Sequence, residues 1–145
     1  MIVPDINLLL YATFDSFPLH APARAWWETT LSGTELVGLT APVVFGFVRL
    51  STSRRVFAPP LGVEAATSQV ESWLARPQVE YLAGGERQLQ LALGLLRDVG
   101  ASRNLTTDVQ IASHALAVRG TVYSHDTDFG RFPRVPWVDP VAVGA

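Results

Sequence analysis

Four aspartates, Asp5, Asp108, Asp126 and Asp128, are the residues whose type and placing suggest chemistry. Asp126 and Asp128 fall in "TVYSHDTDFGRF" (Thr121 to Phe132), where a short β-prone run ends abruptly in acids. Asp5 likewise ends the apolar run from Ile2 to Pro4. Asp108 lies in the first turn of a helix that Thr106 or Thr107 is placed to cap. Crowded carboxylates repel one another and are costly to shield from water. Several in one cleft therefore call for a compensating cation. Hard oxygen ligands favour Mg²⁺ or Mn²⁺. Such an ion lowers the pKa of a bound water and stabilises charge on a phosphoryl oxygen. Each acid alone also has a simpler role open to it. Asp108 would complement a helix dipole, Asp126 and Asp128 would bond their own backbone in a turn, and Asp5 beside Asn7 would open a loop. Only convergence of the four implies a site.

Convergence depends on the elements between them. Residues 2–4 read as a strand, Asn7 to Phe14 as a helix, and His20 to Leu31 as an amphipathic helix. Glu35 to Leu39 reads as a second strand. Thr40 is placed to cap the next helix, with Pro42 in its first turn. After the break "FAPPLG" come a helix over Val63–Leu74, a strand over Val79–Leu82 and a helix over Glu86–Val99. "GASRN" is a loop, the helix bearing Asp108 runs to about Val118, and Gly120 ends it. A strand over 121–124, a turn and a short strand at Val135–Val138 finish the chain. Strands alternating with helices predict an α/β fold with a mostly parallel sheet covered on both faces. Ligands of such sheets bind beyond the carboxyl ends of the strands. Asp5 and Asp126 meet there if their strands are neighbours, and Asp108 joins them if its helix starts at that edge.

Composition narrows the alternatives. The 145 residues suit one domain with a real core, 48% of them apolar and only 17% charged. No apolar run is long enough for a membrane span, and the N-terminus lacks a basic segment, so a cytoplasmic location is expected. There is no cysteine, hence no disulfide or thiolate metal site. All 11 basic residues are arginine. The absence of lysine excludes Schiff-base chemistry and the Walker lysine, and leaves forked guanidinium groups suited to phosphate. Receiver-like phosphoryl-transfer domains, which also gather aspartates at strand ends, normally use a lysine near the phosphate. The net charge of −2 gives no bulk attraction to nucleic acid.

"IVPDINLLLYA", "RNLTTDVQIASHALAVRGTVYSHDTDFGRF" and "VPWVDP" together resemble PIN-domain proteins, most closely VapC toxins of bacterial toxin–antitoxin pairs. The likeness spans nearly the whole chain. It implies a three-layer α/β/α PIN fold, a homodimer and a Mg²⁺- or Mn²⁺-dependent endoribonuclease acting on transfer or ribosomal RNA. It also implies a VapB-type antitoxin that blocks the cleft. By position, Asp5, Asp108 and Asp126 match the family's catalytic and metal-binding acids, with Asp128 as their common neighbour. Asn7 and Ser124 match small polar positions that orient a carboxylate or a water. Arg49 matches a frequent basic residue, and Arg54, Arg55 and Arg103 are further candidates for gripping RNA phosphates. Apolar positions on early helices, such as Trp26, Trp27, Val44 and Phe47, are candidates for a partner surface or for the core.

One departure stands out. In "VVFGFVRL" Gly46 stands three residues before Arg49, where the family pattern E-F-x-R has glutamate. A mid-helix glycine costs about 1 kcal/mol relative to alanine. An introduced change that suppresses toxicity, a naturally degenerate site, or replacement by another acid would each explain it, the first two being favoured. The expectation is an attenuated nuclease, the alternative a degenerate module that binds antitoxin or RNA without cleavage.

Overall fold

The structure, a computed structural model, describes residues 1–100 and 105–142. Strand β1 (Ile2–Pro4) leads into helix α1 (Ile6–Thr13), which is followed by α2 (His20–Ser32). Next come β2 (Val37–Thr40), α3 (Ala41–Ser51), α4 (Val63–Leu74) and β3 (Val79–Leu82). Helices α5 (Glu86–Val99) and α6 (Leu105–Ala117) precede β4 (Thr121–Tyr123), a 3₁₀ turn (Thr127–Arg131) and β5 (Trp137–Val138). The five strands lie in the order β3-β2-β1-β4-β5, all parallel. Every residue of β1 and β2 is buried, as parallel strands covered on both faces must be. This is the α/β/α sandwich that the alternation of elements predicts.

The order carries the functional consequence. β1 is central and β4 is its neighbour, in the register Ile2↔Thr121, Val3↔Val122 and Pro4↔Tyr123. One residue further, Asp5 therefore stands beside Ser124. The Asp5 N–H continues the ladder to the Tyr123 carbonyl at 2.9 Å, and the Ser124 N–H continues it to Val138 at 3.0 Å. Gly120 sets the return from α6 into β4. Its N–H closes on the Ala115 carbonyl at 2.8 Å, after Arg119 has taken a left-handed φ of 53°. A Cβ at residue 120 would sit 2.8 Å from the Met1 carbonyl oxygen, so the close approach of β1 demands glycine there.

Thr40 stands at the N-cap of α3 as expected, but its hydroxyl makes no cap bond and is buried without a partner. The partner-surface candidates divide. Trp27 and Phe47 are core, packed against Trp73 with ring centroids 5.6 Å and 4.9 Å away. Trp26 and Val44 are only partly buried, and the Trp26 ring stacks on Tyr123. Packing at helical spacing explains the buried pair. No helix among the described residues is long and apolar enough to cross a membrane.

Candidate metal centre

Asp5 is buried at the junction of β1 and α1, and its carboxylate is fixed from both sides. Oδ1 accepts the Ile6 N–H at 2.7 Å, capping α1, and Oδ2 accepts the Ser124 hydroxyl at 2.7 Å. The same Ser124 oxygen accepts the Asp126 N–H at 2.9 Å and the Asn7 amide at 3.3 Å. Ser124 thus uses one donor and two acceptor positions to tie β1, α1 and the loop after β4 into one unit. The carbonyl oxygen of the Asn7 side chain is left buried and unpartnered.

Asp126 does what a turn aspartate does: its Oδ1 accepts the Asp128 N–H at 2.9 Å, opening the 3₁₀ turn. That turn also brings Asp128 back toward α6. Carboxylate oxygens of Asp108, Asp126 and Asp128 all lie within 4.8 Å of one another. Two oxygens on opposite sides of one Mg²⁺ stand about 4 Å apart. Asp5 lies outside this group of three but is close enough to act on it electrostatically. Asp108 is half-buried and its pKa is pushed up to about 7, first by loss of water and then by the charges of Asp5, Asp126 and Asp128. Burial raises the Asp5 pKa also, opposed by its bonds to Ser124 and Ile6. Arg131 approaches Asp128 at 3.6 Å, from an exposed position where an ion pair offsets little of the repulsion. An all-oxygen acidic donor set with an orphaned amide oxygen beside it fits a hard divalent cation.

The family model for the PIN domain matches residues 2–135. The chain is a PIN-domain protein. It is 48% identical to Ribonuclease VapC33 of Mycobacterium tuberculosis over 141 residues, covering 97% of this chain and 99% of that one. It is 37% identical to Ribonuclease VapC37 of the same organism over 143 residues, 99% of each. These relatives place it among VapC proteins. Its fold is that of the chain matched in VapBC2 from Rickettsia felis bound to a promoter DNA fragment. The TM-score is 0.68 at 20% identity, over 95% of this chain and 98% of that one.

The PIN domain's other sequence-derived candidates are dispersed. Arg49 is exposed on α3 and lines a groove shared with Ile6, Gly46 and Thr107. Arg54 and Arg55 are exposed beyond the far end of α3, roughly 16 Å along the helix from the strand edge. Arg103 lies outside the described residues. Gly46 is buried against α1: a Cβ there would collide with Cδ1 of Ile6 and lie 3.1 Å from its Cγ1. The Ile6 side chain thus fills the space from which a glutamate would start.

Two residues beside the PIN site have more structure than their sequence setting suggests. Asp139, readable as a solvated loop acid, accepts from His125 Nδ1 at 2.8 Å and from the Val141 N–H at 3.0 Å. Tyr11, one helical turn after Asn7, packs edge-on against His125, and burial and the charges of Asp5, Asp126 and Asp139 raise its pKa. The signal for Tyr11 was the i, i+4 spacing from Asn7. The His125–Asp139 pair spans two adjacent strand ends and leaves no spacing to read.

Proposed function

We propose that this chain is a Mg²⁺-dependent endoribonuclease toxin that hydrolyses RNA phosphodiester bonds. The observation carrying the reading is the set of three carboxylates within 4.8 Å of one another, with Asp108 held partly protonated near neutral pH. A divalent ion bound there supplies Lewis-acid stabilisation of phosphoryl charge and a more acidic water. The chain's own residues do the rest. Asp108, Asp126 and Asp128 hold the ion, with Mn²⁺ an acceptable substitute. Asp5 adds negative potential, and Ser124 and the Ile6 N–H keep its oxygens in place. The Asn7 amide donates to Ser124 and so helps hold the loop that carries Asp126 against β1 and α1. Arg49 contributes phosphate attraction from the groove.

The names of the VapC relatives and of the VapBC2 structure support a VapB-type antitoxin partner and action on RNA. A homodimer, transfer or ribosomal RNA as the target and a cytoplasmic location complete the proposal, on the sequence resemblance to the family alone. Gly46 supports lower turnover than a chain with a carboxylate at that position. It also keeps a second reading open, a module that binds antitoxin or RNA without cutting. The remaining three acids weigh against that reading. Incubating the purified chain and Asp126→Asn with unstructured RNA separates the two. Cleavage in Mg²⁺ that EDTA and the substitution both abolish is expected; intact RNA with retained binding selects the silent module.

A further inference from the structure

Of the seven phenylalanines, Phe45 alone is exposed, at 71%. It lines a groove of about 540 Å³ between α3 and α6, within the range of clefts that hold small organic ligands. Phe45 and Arg49 are one turn apart and form the α3 wall. Thr107 and Gln110, three residues apart and both exposed, form the α6 wall. Ile6 and Gly46 form the floor. Ile6 follows Asp5 and Thr107 precedes Asp108, so the floor and the α6 wall each adjoin a residue of the acidic site.

These groups match the parts of one nucleotide. A solvent-facing phenyl ring offers a stacking platform. The Thr107 hydroxyl and the Gln110 amide offer a donor and an acceptor to a base edge. Arg49 offers a guanidinium to phosphate. Paired bases cannot splay into such a slot, whereas unpaired ones can. We infer that this groove is a base-binding slot, in which Phe45 stacks on an unpaired RNA nucleotide flanking the scissile phosphate. The inference rests on the ribonuclease reading and adds how the substrate is seated.

The test is binding in EDTA of an unstructured 12-nucleotide oligouridylate and of an abasic ribose-phosphate chain of the same length, followed by fluorescence anisotropy. Phe45→Ala should weaken oligouridylate binding about ten-fold or more and leave the abasic chain unaffected, while Phe45→Trp retains affinity. Equal oligouridylate affinity for Phe45→Ala and the unaltered chain overturns the slot and leaves the nuclease reading standing. An equal loss on both probes also overturns it, because stacking would not be what was removed. A fall in molecular mass of Phe45→Ala by light scattering overturns it too, making Phe45 a subunit contact. Failure of the unaltered chain to bind or cut any RNA removes the nuclease reading and the slot together.

Discussion

Replacing Asp108 with asparagine should stabilise the metal-free protein, increasingly so as the pH rises to neutral and above. In the folded state Asp108 titrates at about 7 instead of 3.8, a rise of about three pH units. At 1.36 kcal/mol per unit the ceiling is about 4 kcal/mol. Asp108 is half-exposed, so solvent screening lowers this to about 1–2 kcal/mol. The sign follows from proton binding. Between pH 4 and pH 7, approximately, the folded chain holds the Asp108 proton and the unfolded chain does not, so stability falls as pH rises through that window. Above it the deprotonated carboxylate carries the full penalty, which Asp108→Asn removes. Thermal unfolding in EDTA at pH 8 should show Asp108→Asn melting about 3–6 °C higher than the unaltered chain. At pH 5 the gain should shrink to roughly a third of that. Adding Mg²⁺ at pH 8 should raise the melting temperature of the unaltered chain and leave the variant nearly unmoved. A variant that melts lower at pH 8, or gains equally at both pH values, would refute the electrostatic reasoning.

Further outcomes follow from the same geometry. Ser124→Ala strands a buried Asp5 oxygen and two amide donors, and should cost about 2–3 kcal/mol by urea denaturation. Asp139→Ala releases His125 and the Val141 N–H and should cost about 1–2 kcal/mol, whereas Asp139→Asn should lose roughly half as much; equal losses would mean that charge alone matters there. Gly46→Glu alone must displace the Ile6 δ-methyl, so the gain in kcat expected from an added carboxylate should be larger in Ile6→Ala/Gly46→Glu. A double variant no faster than the unaltered chain at saturating RNA would show that residue 46 is not a site position.

Element types and their order were legible because the periodicities are strong. The helices Val63–Leu74 and Glu86–Val99 and the strand Val79–Leu82 are observed at the predicted residues. The fate of individual side chains was less so. Trp27 and Phe47 look the same on a helix whether they face a partner or the sheet, and tertiary packing decided for the core. Strand alternation brought Asp5 level with Ser124, but strand order does not reveal that the 3₁₀ turn folds Asp128 toward Asp108. Asp5, foreseen as a ligand, lies outside the group of three; each of its oxygens accepts one hydrogen bond, from Ile6 or Ser124, and keeps a second lone pair. The spatial pairing of Gly46 with Ile6 crosses two helices forty residues apart in sequence and has no local signature.

The central claim is that Asp108, Asp126 and Asp128 together hold one divalent ion. Crystals soaked in millimolar Mn²⁺ and measured at the manganese absorption edge test it directly. An anomalous peak between these three carboxylates, lost in Asp126→Asn, is the predicted result. Full-strength diffraction with no peak there, or with manganese bound only elsewhere, would contradict it.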